Sequence, residues 1–230
     1  FTHTQPSGFV ALATQNLPTP AIINPADHFC SVVIDHDGSD TDGTCTFNLD
    51  TYEWLAIIKN TTGAAEKWYW INSLDGVNKY LDQAGSALVT DANVLTVSGT
   101  TFTLGSTLGD KDYYVEIHKA GLASATAANT SGTEDTIATS ENATSGFGMA
   151  QFAAPSSGNF SIGHGFNVAL SYVVTNETSR ASSWLNWHKS LNGGSPGTTY
   201  RLNQNTTTLQ LSTANYWGST GMTSTVMGYG

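Results

Sequence analysis

Charge is what this sequence has least of: only 11% of its 230 residues are Asp, Glu, Lys or Arg. A helical cytosolic enzyme would fill its exposed helix faces with Lys and Glu, so that class is excluded, and Ser, Thr, Asn and Gly carry the polarity instead. Cations are the scarcest group, with 8 Lys+Arg against 18 Asp+Glu and a net charge of -10. They are nowhere clustered, and neutralising a phosphate backbone needs clustered cations, so nucleic acid is excluded as a partner. No apolar run approaches the roughly 18 to 20 residues that cross a bilayer, so membrane insertion is not expected. Apolar periodicity near 3.6 never persists for about three turns, which makes helix a minor component. The two cysteines, Cys30 and Cys45, are too few to report a redox compartment. The chain opens at Phe1 without a methionine and shows no signal-peptide n-region or h-region, the pattern of a processed or excised chain.

What is present is apolar material, 39% hydrophobic and 10% aromatic, enough for two cores. It is arranged as an echo. Trp54 to Leu74, WLAIIKNTTGAAEKWYWINSL, returns between Leu170 and Leu191 as LSYVVTNETSRASSWLNWHKSL. In each copy a β-branched pair (Ile57-Ile58, Val173-Val174) enters a polar turn, an aromatic strand comes back (Trp68 and Trp70; Trp184 and Trp187), and the segment closes on Ser-Leu. Tyr80 and Leu81 before Gln83, and Tyr200 and Leu202 before Gln204, extend the match. A repeated unit of roughly 90 to 100 residues is the size of one β-sandwich. The expected fold is therefore all-β: two tandem, internally duplicated antiparallel β-sandwich (jelly-roll-like) units with an extended N-terminal arm.

The expected domains are an arm and Pro-rich connector over 1–23, a first sandwich over 24–119, a small polar linker over 120–133 and a second sandwich over 134–230. In the arm, Gly8 to Thr14 reads as a strand, with Phe9 and Ala11 on one face and Val10 and Leu12 on the other; Pro18, Pro20 and Pro25 then hold the connector extended. The first unit is expected to carry strands at Phe29 to Asp35, Thr44 to Leu49, Trp54 to Lys59, Lys67 to Ile71, Leu88 to Thr90, Val94 to Val97, Thr101 to Leu104 and Tyr113 to His118. The second is expected to start at Asp135 to Ser140, Gly146 to Phe152 and Asn159 to Ile162, and to lack a counterpart of the Asp112 to His118 strand. An incomplete sandwich invites strand addition, from the arm of a neighbouring subunit or from sequence beyond residue 230.

Asp35, Asp37, Asp40 and Asp42 lie in one acidic turn, DHDGSDTDG, and form the candidate site for a hard cation such as Ca²⁺. The loop is too short for an EF-hand and has no glutamate at its twelfth position, so a solvated hairpin tip is the favoured reading. If Asp37-Gly38 forms a two-residue turn, antiparallel counting puts Cys30 opposite Cys45 and allows a bridge; a turn centred near Asp40 breaks that register. Two buried free thiols is the preferred reading. Trp68, Trp70, Trp184 and Trp187 are the candidate carbohydrate-binding residues, because aromatic faces stack on sugar rings. Their recurrence in both copies favours a role in the cores, which an exposed pair would reverse.

Gly193-Gly194-Ser195-Pro196-Gly197 fits the G-x-S-x-G nucleophile elbow. That mechanism needs the backbone N–H after the serine, which Pro196 lacks, so a plain loop is expected. The six histidines show no metal-ligand spacing, and six N-x-[ST] sequons arise readily in a chain this rich in Asn, Ser and Thr. No nucleophile, metal set or phosphate loop supports an enzyme.

The arm Ala11 to Pro20 (ALATQNLPTP), the hairpin Trp54 to Asn60 (WLAIIKN), Phe102 to Ser106 (FTLGS), Gly163-His164-Gly165 and Asn215-Tyr216-Trp217 together resemble a repeat region of tailed-phage and cyanophage virion proteins that often follows a SPRY-like, concanavalin-type sandwich. The acidic turn at 35–42 stands where that family usually has a Gly/Asn/Thr turn, and the second unit ends early. The resemblance implies a non-enzymatic virion-surface protein, a tail-fibre, spike or appendage subunit, and brings no catalytic residues. Its expected partners are copies of itself, other virion proteins and a host cell-surface glycan. The alternative is a secreted carbohydrate-binding module. With so little charge, subunit interfaces are expected to use neutral sheet faces.

Overall fold

The computed structural model describes residues 22–62, 67–82, 87–156, 158–179, 184–191, 200–203, 211–212, 217 and 222–229. The expected arm strand Gly8 to Thr14 and the Gly193 to Gly197 loop lie outside the described residues.

The fold is all-β. After a short 3-10 turn at Pro25–Asp27 the strands are β1 (Phe29–His36), β2 (Thr41–Thr44), β3 (Tyr52–Asn60), β4 (Trp68–Asn72), β5 (Lys79–Asp82), β6 (Val89–Thr90), β7 (Leu95–Ser98), β8 (Thr101–Leu104) and β9 (Lys111–Leu122). A second 3-10 turn at Ala123–Ala125 leads to β10 (Thr136–Asn142), β11 (Phe147–Phe152), β12 (Phe160–Gly163), β13 (Tyr172–Thr175), β14 (Leu185–His188), β15 (Tyr200–Asn203), β16 (Leu211–Ser212) and β17 (Val226–Tyr229). Among the described residues every ladder between two of these strands is antiparallel, and one isolated bridge, Glu134 to Ile162, is parallel. No helix among the described residues is long and apolar enough to cross a membrane.

The first unit is a sandwich of a six-stranded sheet, β1-β9-β3-β4-β5-β6, over a three-stranded one, β2-β8-β7. Period-2 alternation builds its core. Trp54, Ala56 and Ile58 of β3, Ile71 of β4, Phe102 and Leu104 of β8 and Tyr113, Val115 and Ile117 of β9 all point into it. Gly43 of β2 faces Phe102 so closely that a Cβ there would lie 2.2 Å from the ring. In the second unit the sheet β13-β14-β15-β16 and the pair β12-β17 share a smaller core around Ile162, Val173, Trp187, Trp217 and Met227, with Ala150 and Phe152 of β11 packed against it.

The two echoed segments are both hairpins with matching sequels. β3-β4-β5-β6 in the first unit and β13-β14-β15-β16 in the second follow the same order. The match stops at the side chains. Ile57 is the cross-strand partner of Trp70, and Val173 of Trp187. Yet Val173 and Trp187 enter their own core, whereas the residues of β3 and β4 that do so are Tyr52, Trp54, Ala56, Ile58, Tyr69 and Ile71. A one-residue slip in the alternation exchanges the two faces of a strand.

Three expectations are corrected. The acidic segment is not the tip of a hairpin: β1 pairs with β9 and β2 with β8, so residues 37–40 turn a corner between the two sheets. Gly38 supplies the left-handed φ of +83° that this corner needs. The strand expected at Thr44 to Leu49 is instead Thr41–Thr44, because the Asn48 side chain accepts hydrogen bonds from the backbone N–H of Asp50 and Thr51 and turns the chain while Phe47 and Leu49 still reach the core. Residues 120–133 do not form a free linker: β9 runs on to Leu122, Ala127 exchanges backbone hydrogen bonds with Thr139, and Thr133 bonds Ser161.

Cys30 and Cys45 are free thiols that meet inside the first core. Cys30 Sγ donates to the Thr44 carbonyl at 3.4 Å. The hydrogen bond between the two thiols holds Cys30 below the ordinary thiol range against its burial, and together with burial pushes Cys45 up.

Candidate functional site

The four tryptophans divide into three environments. Trp187 is 6% exposed in the second core. Trp184, 3% exposed, joins the two units: its ring lies 4.8 Å from that of Trp70 on the outer face of the first sheet, and its Nε1 donates to the Asp82 carbonyl at 3.2 Å. Trp70 and Trp68 share that outer face, as two residues of one strand separated by one must. Trp68 is the exposed member, at 36%, with the Lys59 ammonium 5.7 Å from its ring centroid. A single ring with a neighbouring cation can stack on one sugar or aromatic face. The four therefore form no common platform.

The four aspartates are not gathered either. Asp37 Oδ1 accepts from the backbone N–H and hydroxyl of Ser39, which holds its carboxyl below the usual carboxylate range. Asp42 Oδ1 accepts from Thr103 Oγ1 at 2.6 Å. Asp35 stands opposite Asp112 in the β1–β9 ladder, and Asp40 is exposed in the corner. Among the described residues no three His, Cys, Asp or Glu side chains come together as a metal site.

A further group of polar side chains gathers where the units meet. A cavity of about 410 Å³ is lined by His28, Tyr52, Lys119, Ser140, Glu141 and Asn142, among others. Its floor is a β-bulge: Trp54 pairs with Lys119 and Tyr52 with Leu122, so one residue of β3 faces two of β9. Gly121 in the bulge donates its N–H to Ser140 Oγ at 2.9 Å, and a Cβ there would lie 2.8 Å from the Glu141 carbonyl oxygen. Lys119 follows Tyr113, Val115 and Ile117 at the same inward parity and is only 9% exposed. Its ammonium sits 4.4 Å from the centroid of Tyr52 and 5.6 Å from that of Phe47. Desolvation lowers its pKa, opposed by the charge of Asp27. Across the cavity His28 Nδ1 lies 2.9 Å from Asn142 Nδ2, which also donates to the Lys119 carbonyl at 3.3 Å. The arrangement holds one poorly solvated cation, Lys119, against aromatic faces, with the Asn142 amide already bonded to His28 and the Lys119 carbonyl.

Strand parity carried the signal for Lys119, since counting inward from Tyr113 by twos reaches it directly. Nothing in the sequence placed His28 or Asn142 beside it, because they are 114 positions apart in the chain. Of the histidines, His36 is fully buried against Tyr113, with ring centroids 5.8 Å apart. His164 accepts from the Phe166 N–H at Nδ1, which leaves Nε2 to donate to the Thr223 carbonyl; burial lowers its pKa.

Residues 24–230 match the family described as "Domain of unknown function (DUF7483)", and the chain belongs to that family. No curated protein and no solved structure matches the chain.

Proposed function

We propose that this chain is a non-enzymatic structural protein of a virion surface, a subunit of a tail fibre, spike or similar appendage, working as a homo-oligomer among other virion proteins and contributing to host attachment. The observation that carries the reading is the way the two sandwiches are fastened. Trp184 is clasped by Trp70 and the Asp82 carbonyl, the Leu88 N–H donates to the Thr178 carbonyl at 3.0 Å, and Gln151 Nε2 donates to Asp75 Oδ1 at 2.8 Å. Contacts at several separated points resist hinge motion, which suits a load-bearing element more than a gated active site. The resemblance of the arm and hairpin to virion repeats supplies the context. Light scattering on the isolated chain tests the reading: one defined oligomer that persists at moderate salt agrees with it. A monomer at all concentrations contradicts it, and so does an oligomer that dissociates with salt.

A second reading, a carbohydrate-binding module, is favoured by one observation, the exposed Trp68 ring beside Lys59. Glycan-array binding that disappears in Trp68→Ala supports it. Binding unaffected by that change removes Trp68 from consideration.

A further inference from the structure

The two cysteines of the chain belong to opposite sheets of the first sandwich. Cys30 lies in β1 and Cys45 directly follows β2, and among the described residues these strands are the outermost of the six-stranded and the three-stranded sheet. Period-2 alternation turns Cys30 inward with Val32 and Ile34, opposite the fully buried Ile117 of β9. Cys45 is 7% exposed in the same core, and its N–H donates to the Thr100 carbonyl at 2.8 Å.

Bonds on either side of Cys45 hold its segment against the segment that carries Cys30. Cys30 Sγ donates to the carbonyl of Thr44, the residue before Cys45, at 3.4 Å, and Thr46, the residue after it, donates its hydroxyl to the Ala26 carbonyl. Standard peptide dimensions then put the Cys45 Cα within about 6 Å of Cys30 Sγ, close enough for side-chain rotation to bring the second sulfur up to the first. Cys30 keeps partial access to solvent, whereas Cys45 is buried.

We propose that Cys30 and Cys45 are a redox modification site, which in the folded chain is oxidised by a small-molecule disulfide and closes into a bridge between the two sheets. Cys30 is the attacking sulfur. It is the accessible one, and its hydrogen bond with Cys45 holds it below the ordinary thiol range. The Cys30 thiolate displaces one thiolate from the small disulfide, and a mixed disulfide forms on Cys30 Sγ. Cys45 Sγ then gives up its proton and attacks Cys30 Sγ, the Cys30–Cys45 bond forms, and the second small thiolate departs. Two protein thiols lose two electrons to one small disulfide, and their two protons end on the two small thiols released. The bond to Cys30 is the first cause that raises Cys45, and it ends once Cys30 is in the mixed disulfide. Closure ties together the outer strands of both sheets at the side where the sandwich is open.

The reduced, folded full chain is incubated with oxidised glutathione, quenched by alkylation, and read by intact mass, peptide mapping and urea unfolding. The expected result is loss of both alkylatable thiols and a Cys30–Cys45 cross-linked peptide within one chain. Because the bridge encloses a loop of about 15 residues, the folding equilibrium constant should rise about 100-fold over that of the reduced chain. Cys45→Ala should stop at a glutathione adduct on Cys30, and Cys30→Ala should leave Cys45 unmodified; the parent-chain readings hold whether or not these variants fold. Two thiols that remain alkylatable after native incubation overturn the proposal. So do a bridge that forms only in urea, a link between two chains, and an oxidised chain less stable than the reduced one.

Discussion

Replacing Trp184 by Ala removes the side chain that fastens the two units together. The indole is 3% exposed, so nearly all its surface is withdrawn from water. At about 200 Å² and about 25 cal/mol per Å² the transfer term is about 5 kcal/mol, an upper value because an unfolded chain already covers part of that area. Measured large-to-small core changes of this kind cost about 3–5 kcal/mol. The hydrogen bond to the Asp82 carbonyl accounts for about 1 kcal/mol of the loss, and Trp184→Phe isolates it by keeping an aromatic ring against Trp70. Urea unfolding followed by fluorescence and by far-ultraviolet dichroism is the assay. Trp184→Ala is expected to lower the midpoint by the equivalent of about 3–5 kcal/mol and to separate the two signals, because the second unit then unfolds ahead of the first. Trp68→Ala, at an exposed position, is the control and should stay within about 0.5 kcal/mol of the parent. A Trp184→Ala loss below about 1 kcal/mol with coincident transitions refutes the fastening role.

Three further outcomes are expected. Gly43→Ala should cost about 1–3 kcal/mol in chemical denaturation, since its Cβ would collide with the fully buried Phe102 ring. The parent should gain stability relative to Lys119→Met as pH rises toward about 10.4: desolvation lowers the folded pKa of Lys119, so in that window the unfolded chain binds more protons and rising pH favours the fold. A parallel pair of pH–stability curves removes Lys119 as a buried cation. His164 acts on the acid side by the same sign, its buried ring resisting protonation, so the parent should lose stability relative to His164→Gln as pH falls below 6.5, and equal losses contradict that burial.

Strand positions were legible where alternation was clean. Thr101–Leu104 begins and ends where the sequence places it, and β3, β7, β10, β11 and β12 lie within two residues of expectation. Partners were not legible, because a period of two fixes which face a residue takes but not which strand lies beside it. β1 pairs with β9, about 80 positions later, rather than with the strand that follows it, and its alternation would be the same with either partner. The tryptophans show the same limit. Their spacing placed Trp68 and Trp70 on one face, yet only the packing of the second unit on that face separates the exposed ring from the interface one. The candidate cavity was the least legible, since His28, Lys119 and Asn142 are brought together by a bulge and an inter-unit contact that no local pattern encodes.

Immuno-electron microscopy of particles purified from the producing culture, with antibody raised against residues 24–230, measures the role most directly. Label at regular positions on the particle surface, on fibres, spikes or another appendage, is the result predicted for a virion structural protein. Antigen recovered only as free protein, with unlabelled particles, contradicts it.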